Sequence, residues 1–349
     1  VLNRYETMKF YRDKLMRKHN TLALQARADA FACVTNDNEL LEALAWARTE
    51  GVDVVALGQG SNIVLAGNVQ ALVVQQAVRG IEVLDAVNSD VILRVAAGEN
   101  WHELVQWTLQ QGYYGLENLA LIPGTVGASP IQNIGAYGVE LQSVLLQVHA
   151  RQIADDKPVT LDNAACQFRY RDSIFKHERK DQLVITAIDI QLSRRSSVNI
   201  SYPALATFFA ERPDVEPTPQ TVFDAVVSIR RSKLPDPLIE PNVGSFFKNP
   251  LLRSEMAALL LAKHPGLPCF SQADGSVKVS AAWMIDQCRW KGHRADDLGV
   301  HPQHALVLVN YGSDSGAQLL ALSSEIVSSV HDAFGVALEI EPRIYGLNP

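Results

Sequence analysis

The 349-residue sequence lacks the features of several large classes of protein. Its four cysteines are far apart and form no C-x-x-C pair, which predicts ordinary thiols in a reducing compartment rather than a disulfide framework or a zinc site. No apolar run is long enough to cross a bilayer. The first twenty residues are charged and amphipathic and contain no apolar signal core. We therefore expect a cytoplasmic protein without membrane insertion.

Basic residues are also in short supply, with 31 Lys and Arg against 38 Asp and Glu and a net charge of −7. Proteins that bind nucleic acid through its phosphates usually present a basic face, so no nucleic-acid partner is expected. His301 and His304 have no accompanying ligand pattern, and Pro302 disfavours a helix that would align them. The sequence predicts no metal site.

Helical and strand patterns alternate along the chain. Asn36 and Asn100 each stand before an apolar periodic stretch with a glutamate three residues later, which predicts two N-capped helices that end near Gly51 and Gly112. A further helix is predicted over Gly316 to Phe334. The proline-rich stretch Arg230 to Pro241 predicts a domain boundary.

Two segments are rich in glycine. Gly58 to Asn62 follows an apolar strand, but the third glycine of a dinucleotide fingerprint and the Gly-Lys-Ser/Thr of a nucleotide-hydrolase loop are both missing. Leu121 to Glu140 reads LIPGTVGASPIQNIGAYGVE, and so many small residues predict backbone that closely approaches a large ligand. The alternative for Gly58 to Asn62 is a plain tight turn, and the alternative for Leu121 to Glu140 is an ordinary surface loop.

Taken together, these segments and three other motifs carry a family resemblance. Both glycine-rich segments resemble the FAD-contacting loops of vanillyl-alcohol-oxidase-like flavoproteins. IPGTVGASPIQNIGAYG is similar to the UDP-N-acetylenolpyruvoylglucosamine reductases in particular. The resemblance extends over roughly residues 20 to 346 and includes the motifs YRDS at Tyr170 to Ser173, GSFFKNP at Gly244 to Pro250 and LEIEPR at Leu338 to Arg343.

The resemblance implies an α+β fold with a two-part FAD-binding region and a separate α+β substrate-binding domain. We predict residues 1–83 with 335–349 as the first FAD-binding subdomain, 84–234 as the second, and 235–334 as the substrate-binding domain. Tyr202 suggests the longer type of this family, in which a tyrosine-bearing loop closes over the substrate. The family's usual Asn-Thr-Phe is Asn20-Thr21-Leu22 here. A long extension precedes it, and the sequence does not predict the structure of that extension.

The family reaction uses NADPH and non-covalently bound FAD to reduce UDP-N-acetylglucosamine enolpyruvate to UDP-N-acetylmuramate for peptidoglycan synthesis. The cofactor supplies the hydride chemistry, so the protein must position the substrate, polarise it and deliver a proton to it. By resemblance, the FAD-binding residues are predicted to be Gly58, Gly60, Ser61, Asn62, Ile122, Pro123, Gly124, Gly127, Ala128, Ser129, Gly135, Ala136, Tyr137 and Gly138.

By resemblance, three residues are predicted to be catalytic; without the family motifs, Arg171 would be interpreted as part of a structural ion pair and Ser245 as a turn residue. Arg171 suits the substrate carboxylate, because a guanidinium binds a carboxylate through two parallel hydrogen bonds. Ser245 suits proton delivery to a strongly basic carbon. Glu341 is the third, and we expect it to act either in a protonated form, which burial would favour by raising its pKa, or through a bridging water. Physical reasoning leaves Glu339 open as the competitor, and only the family motif selects Glu341.

Tyr202, Lys233 and Asn249 are predicted to bind the substrate's UDP part. The alternative for Lys233 is a solvated surface lysine, and the alternative for Asn249 is an asparagine that stabilises a turn. A flavin-dependent sugar or alcohol oxidase of the same superfamily is the alternative function. Many such oxidases attach the flavin through His or Cys, and neither glycine-rich segment contains either residue. We expect a monomer.

Overall fold

A computed structural model of the protein describes residues 8–347. The predicted segment 1–83 with 335–349 extends beyond this range, so its residues 1–7 and 348–349 lie outside the described residues, as does the start of the charged N-terminal stretch. No helix within the described range is long and apolar enough to span a membrane.

The α-helices differ in length from two to five turns. They are α1 (Asp37–Glu50), α2 (Trp101–Gln110), α3 (Pro203–Ala210), α4 (Pro219–Lys233), α5 (Ser254–Lys263), α6 (Ala281–Gln287) and α7 (Gly316–Phe334). Short 3₁₀ helices cover Arg17–His19, Glu117–Leu119, Val126–Gln132, Leu141–Ser143 and Ile174–Lys176.

Most strands are short. They are β1 (Tyr11–Leu15), β2 (Arg27–Val34), β3 (Val54–Leu57), β4 (Ile63–Leu65), β5 (Val69–Gln76), β6 (Ile81–Val87), β7 (Asp90–Ala96), β8 (Gly135–Ala136), β9 (Val139–Glu140), β10 (Leu145–Gln152), β11 (Pro158–Asp162), β12 (Leu183–Ser193), β13 (Asn242–Ser245), β14 (Leu251–Leu252), β15 (Cys269–Ser271), β16 (Val277–Val279), β17 (Arg294–Ala295), β18 (Leu298–Val300), β19 (Val307–Asn310) and β20 (Arg343–Tyr345).

The chain divides into two compact units. Within the described range, unit 1 comprises residues 8–14, Ala28–Gln59 and Gln70–Ser232, and unit 2 comprises Leu15–Arg27, Gly60–Val69 and residues 233–347. The division falls between Ser232 and Lys233, within the proline-rich stretch. It groups residues differently from the three-part division given above, which stays a prediction.

Unit 1 contains a sheet in the order β1-β2-β5-β3, in which β3 and β5 run parallel. Helix α1 covers it with the buried side chains of Leu40, Ala43 and Leu44. Within the N-terminal extension, whose structure the sequence left open, Tyr11–Leu15 form the edge strand β1. Phe10 precedes that strand and stacks on Trp46 of α1 with ring centroids 4.7 Å apart.

The second sheet of unit 1 has the order β11-β10-β12-β7-β6, and its neighbouring strands are antiparallel. Its buried side chains share a core with α2, α4 and the glycine-rich loop, including Leu93, Ile188, Leu104, Val222 and Val126. Packing of Val126 into this core therefore fixes the position of the glycine-rich loop.

Unit 2 contains the sheet β13-β19-β18-β17, the small sheet β14-β16-β15 and the parallel pair β20-β4. Strand β19 and helix α7 bury apolar side chains such as Val307 and Ile326. Asn310, also buried, donates from Nδ2 to the carbonyls of Leu22 (2.7 Å) and Ser313 (2.8 Å). It thereby ties Leu15–Arg27 to the rest of the unit.

The predicted helix starts are confirmed. Asn36 and Asn100 accept hydrogen bonds from the backbone N–H groups of Glu39 and Glu103, each at 3.0 Å. Gly51 follows α1 in the left-handed conformation with φ 67°, and α7 has the predicted bounds. These features are local, so the sequence specifies them directly.

Candidate active site

The glycine-rich loop of unit 1 is a compact element held by its own backbone. Its first half is the 3₁₀ helix Val126–Gln132, in which Ser129 Oγ donates to the carbonyl of Val126 at 2.6 Å. Its second half is the hairpin of β8 and β9, with Gly135 opposite Glu140. The loop thus contains short helical and strand segments, which its many small residues do not predict.

Several of its glycines are required by neighbouring protein atoms. A Cβ at Gly127 would lie 2.6 Å from Cβ of Ala97, and one at Gly58 would lie 2.3 Å from Oγ1 of Thr125. A Cβ at Gly135 would lie 2.8 Å from the side chain of Glu140. Close packing within unit 1 thus requires glycine at these three positions even without a ligand beside them.

The hairpin turns at Tyr137 and Gly138, whose φ angles are 49° and 81°. Two central residues with positive φ are typical of a type I′ turn, which matches the twist of antiparallel strands. The turn directs Tyr137 towards Tyr202, and the two rings meet edge to face with centroids 5.3 Å apart. Tyr202 stands at the N-terminus of α3 and is 43% exposed.

Buried asparagines that sequence reasoning missed hold this hairpin. Asn133 is fully buried with φ 45° and donates to Oε2 of Glu140 (2.9 Å) and to the carbonyl of Arg169 (3.2 Å). Asn118 donates to the carbonyls of Tyr137 (2.9 Å) and Asn199 (2.8 Å). Asparagine tolerates left-handed backbone, but nothing in the local pattern marks these two residues.

Arg171 lies at the tip of a tight turn in unit 1. The backbones of Arg169 and Asp172 exchange two hydrogen bonds of 3.1 Å, and Arg171 between them has φ 52°. The guanidinium donates from Nη2 to the carbonyl of Gly135 and lies over the ring of Tyr170. The structure therefore brings a predicted catalytic cation against the predicted cofactor-binding loop.

Ile122, Pro123 and Gly124, also predicted to bind the cofactor, precede the 3₁₀ helix of this loop. Leu121 has φ 58° and Gly124 has φ 125°, and Ile122 packs partly buried on the core of unit 1. The N–H of Leu121 donates to Nδ1 of His102 at 3.0 Å. Burial lowers the pKa of His102, and the nearby Arg231 guanidinium lowers it further. His102 is therefore kept neutral where it supports the loop.

Arg230, near the end of α4, was also missed. Its Nε is buried and has no hydrogen-bond partner among the described residues. Burial lowers its pKa, the Tyr137 hydroxyl opposes that change, and Arg171 reinforces it. Burial raises the pKa of Tyr137, and the nearby Arg230 opposes that change.

In unit 2, Gly60, Ser61 and Asn62 lead into β4. Gly60 has φ 68°, and a Cβ there would lie 2.1 Å from the carbonyl oxygen of His19. Its own carbonyl accepts from the N–H of Thr21 at 3.1 Å, while that of Asn62 accepts from the N–H of Arg343 at 3.0 Å. The segment is thus fixed by residues distant in the chain.

Ser245 ends β13 of unit 2 and lies opposite Val307 of β19, directly after Gly244 with φ 72°. The carbonyl of the next residue, Phe246, accepts from the N–H of Glu341 at 2.9 Å. The structure therefore brings two predicted catalytic residues to neighbouring positions.

Glu339 is placed differently from Glu341. Its side chain is 70% exposed and pairs with Nζ of Lys248, and its carbonyl accepts from the N–H of Lys248 at 2.9 Å. Ile340 between the two glutamates forms an isolated antiparallel bridge with Phe247, so the exposure and the ion pair of Glu339, and not its backbone, distinguish it from Glu341.

Two of the predicted substrate residues also lie in unit 2. Oδ1 of Asn249 accepts from the N–H of Ala281 at the start of α6 (3.0 Å), so its Nδ2 is the group that would donate to a ligand. Lys233 is exposed at the end of α4. His301 has Nε2 3.7 Å from Oε2 of Glu240, and residues 8–347 contain no cluster of three or more metal-ligand side chains.

Comparison with known families gives two matches. A family described as "FAD binding domain" matches residues 28–161. A second, described as "UDP-N-acetylenolpyruvoylglucosamine reductase, C-terminal domain", matches residues 236–345. These matches confirm the predicted α+β fold class with an FAD-binding region and a separate C-terminal domain.

Relatives extend over nearly the whole chain. The UDP-N-acetylenolpyruvoylglucosamine reductase of Chromobacterium violaceum is 48% identical over 339 residues, which cover 97% of this chain and 99% of the relative. That of Paraburkholderia phymatum is 46% identical and covers 97% and 98%.

The same fold is found in a crystal structure of the reductase from Thermus caldophilus. It aligns with a TM-score of 0.67 at 22% identity, over 97% of this chain and 100% of that one. With nearly half of all positions identical across the full length of the relatives, the chain belongs to the UDP-N-acetylenolpyruvoylglucosamine reductase family.

Proposed function

We propose that this chain catalyses the NADPH-dependent, FAD-mediated reduction of UDP-N-acetylglucosamine enolpyruvate to UDP-N-acetylmuramate, a step in peptidoglycan precursor synthesis. The observation that carries this conclusion is identity of 48% over 97% of the chain to a reductase of that name. The placement of Arg171 against the loop residue Gly135 supports it, because the cation and the predicted cofactor-binding backbone share one location.

The residues beside the glycine-rich loop of unit 1 fit FAD. The buried, unpartnered Nε of Arg230 near Tyr137 is a donor that suits an anionic group. The loop beside it is built of small residues, so few side chains obstruct a planar ring system. The residues proposed to hold FAD are Gly58, Gly60, Ser61, Asn62, Ile122, Pro123, Gly124, Gly127, Ala128, Ser129, Gly135, Ala136, Tyr137 and Gly138.

Bound FAD would supply hydride transfer from NADPH to the enolpyruvyl group, and the protein's residues do the rest. Arg171 binds the substrate carboxylate, onto which negative charge spreads from the adjacent carbon when hydride adds to the terminal vinyl carbon. Its guanidinium is already oriented by Gly135 and Tyr170. Preorientation saves the cost of arranging the cation during the reaction.

Ser245 donates the proton from Oγ to the carbon that carries the charge. A hydroxyl is a weak acid, but a carbanionic centre is basic enough to take its proton when the two are held together. Gly244, with φ 72° and open space at the position of a Cβ, leaves room in front of the serine. The pairing of β13 with β19 fixes its direction.

Glu341 is the acidic partner that we propose, rather than Glu339. The side chain of Glu339 is 70% exposed and paired with Lys248, so its charge is already neutralised in contact with water. Glu341 is half-buried and linked through its backbone to the residue after Ser245. In its protonated form, Glu341 would hydrogen-bond the charged carboxylate without repelling it.

Tyr202, Lys233 and Asn249 are proposed to bind the UDP part of the substrate. Lysine and the amide Nδ2 supply donors for the diphosphate oxygens. The exposed ring of Tyr202, supported from one side by Tyr137, offers a face or a hydroxyl to the nucleotide.

We also propose that the enzyme is a cytoplasmic monomer with the three-part domain division given above. The four cysteines support a reducing compartment, because none forms a disulfide. Sedimentation at micromolar concentration tests the monomer, and a dimer would contradict it.

A visible spectrum of the purified protein is the first test. We expect a flavin spectrum that bleaches when NADPH is added without oxygen and returns when the enolpyruvyl UDP-sugar is added. Protein that is colourless and cannot be reconstituted with FAD would refute the proposal. A flavin that reoxidises only in air would indicate an oxidase.

Replacement of Ser245 by alanine tests the mechanism. The variant should still be reduced by NADPH, but turnover should fall about 10²–10⁴-fold, the usual contribution of positioned proton transfer. Ser324→Ala, on an exposed face of α7, is the matched control and should keep full activity. Turnover of Ser245→Ala close to that of the control would remove Ser245 from this role.

A further inference from the structure

The segment between β12 and α3 carries Tyr202 and contains neither helix nor strand. It covers residues 194–202, and its first four residues are exposed. Val198 and Ile200 pack partly buried against the core of unit 1. Apolar packing is non-directional, so it holds the segment to the core without fixing the direction of Tyr202. Hydrogen bonds, which depend on angle, are needed for that.

Asn118 supplies two such hydrogen bonds from inside unit 1. It lies in the 3₁₀ helix Glu117–Leu119 and is 2% exposed. Its Nδ2 donates to the carbonyl of Asn199 at 2.8 Å and to the carbonyl of Tyr137 at 2.9 Å, which uses both hydrogens of the amide. A single buried amide therefore joins the segment that carries Tyr202 to the turn of the glycine-rich hairpin.

Asn199 forms hydrogen bonds to both sides of the same junction. Its Nδ2 donates to the carbonyl of Gly138 at 3.3 Å, and its Oδ1 accepts from the N–H and the Oγ of Ser201 at 3.0 and 2.7 Å. A Cβ at Gly138 would lie 3.5 Å from Nδ2 of Asn199 and 3.8 Å from Cβ of Tyr202. The segment therefore lies directly on the hairpin turn.

We propose that Asn118 and Asn199 are positioning residues for Tyr202, which they place before the substrate binds. The inference rests on the proposed function, which assigns Tyr202 to the UDP part of the substrate. The ring of Tyr202 already meets that of Tyr137 edge to face, with centroids 5.3 Å apart, a favoured geometry for an aromatic pair. A segment that is ordered in advance loses less conformational entropy on binding, so affinity increases.

Asn118→Ala tests the inference, and Asn163→Ala is the matched control. Nδ2 of Asn163 also donates to two backbone carbonyls, those of Gln142 and Leu145, each at 2.8 Å. Both variants therefore lose two hydrogen bonds of the same kind, but those of Asn163 do not involve the segment that carries Tyr202.

Two quantities are measured on the FAD-loaded protein. The first is the Kd of the enolpyruvyl UDP-sugar, obtained from its perturbation of the oxidised flavin spectrum. The second is hydrogen exchange of the backbone amides of residues 198–202 in the absence of the sugar. We expect Asn118→Ala to raise the Kd about tenfold and to speed this exchange about tenfold relative to Asn163→Ala, as the loss of buried hydrogen bonds would do.

The effect of Asn118→Ala on Kd should disappear when Tyr202 is already replaced by alanine, because a positioning residue cannot act through a ring that is absent. A purely structural role of Asn118, exerted through the carbonyl of Tyr137 alone, would weaken binding equally in both backgrounds. The double-mutant cycle therefore separates the two roles.

Any one of three results overturns the inference: a Kd of Asn118→Ala equal to that of Asn163→Ala, unchanged exchange in residues 198–202, or an equal loss of affinity with and without Tyr202. If Asn118→Ala does not fold, wild-type Kd and exchange in Asn199→Ala overturn it instead. Failure of the proposed function is a separate result, because wild-type holoprotein would then show no spectral response to the sugar. A wild-type Kd in Tyr202→Ala would remove Tyr202 from substrate binding and the inference with it.

Discussion

His102 shows how one side chain joins a helix to the glycine-rich loop. Nδ1 accepts the N–H of Leu121 at 3.0 Å, and the ring stacks on Phe223 of α4 with centroids 5.5 Å apart. Only a neutral imidazole has a nitrogen that accepts a hydrogen bond. Burial, assisted by Arg231 and Arg230 and opposed by Glu103, lowers the pKa of His102 and so preserves that neutral form.

The stability of the protein should therefore depend on the protonation of His102. Because its folded-state pKa is lowered, the unfolded chain binds this proton at higher pH than the folded protein does. The contribution of His102 to the free energy of unfolding should be complete above about pH 6.5 and be lost as the pH falls below that value. Urea unfolding at several pH values between 5 and 7.5 measures this dependence.

His102→Asn is the matched variant, because its Oδ1 replaces Nδ1 as an acceptor but does not titrate. The difference in unfolding free energy between wild type and this variant should shrink or change sign as the pH falls. A difference that stays constant over the whole range would show that His102 is not the titrating group.

At the scale of elements, α1 and α2 begin in the same way. Each has an asparagine N-cap that accepts a hydrogen bond from a glutamate N–H three residues later. In α1 the Glu39 carboxylate also accepts from the N–H of Thr35, a hydrogen bond that lowers the pKa of Glu39. The anionic side chain near the helix N-terminus is favourable for the helix dipole.

Asn36→Ala should lower the free energy of unfolding by about 1 kcal/mol, because one backbone N–H at the start of α1 loses its partner. Asn36 is exposed, so no packing is lost with it. Asn36→Ser keeps a capping oxygen and should be close to wild type in chemical denaturation. Equal stability of the alanine and serine variants would mean that the cap contributes nothing.

At the scale of the whole molecule, stability and cofactor binding should be linked. A ligand that binds only the folded state stabilises it by an amount that grows with concentration, about 2.7 kcal/mol at one hundred times Kd. Flavin-free protein should therefore melt at higher temperature as FAD is added. Riboflavin, which has the ring system without the adenine nucleotide, should have a smaller effect at equal concentration. A melting temperature independent of FAD would contradict binding to the folded state.

Local features of this protein follow from local sequence. The capped starts of α1 and α2 and the bounds of α7 depend on residues within a few positions of each other, and the family follows from short ordered motifs. The same motifs name Arg171, Ser245 and Glu341 as catalytic candidates, whose roles remain predictions. Between Glu339 and Glu341, however, the physical distinction comes from the fold, because Glu339 is exposed and paired with Lys248 whereas Glu341 is half-buried.

Tertiary structure decided the features that depend on distant residues. Strand β20 pairs with β4 with Arg343 opposite Ile63, and no local pattern specifies a partner so far along the chain. Asn133 and Arg230 look like ordinary polar residues in the sequence, because their burial is created by segments that fold around them. The sequence by itself determined the family and the helix ends; only the folded chain decided which polar side chains would be enclosed, and therefore which of them require a partner.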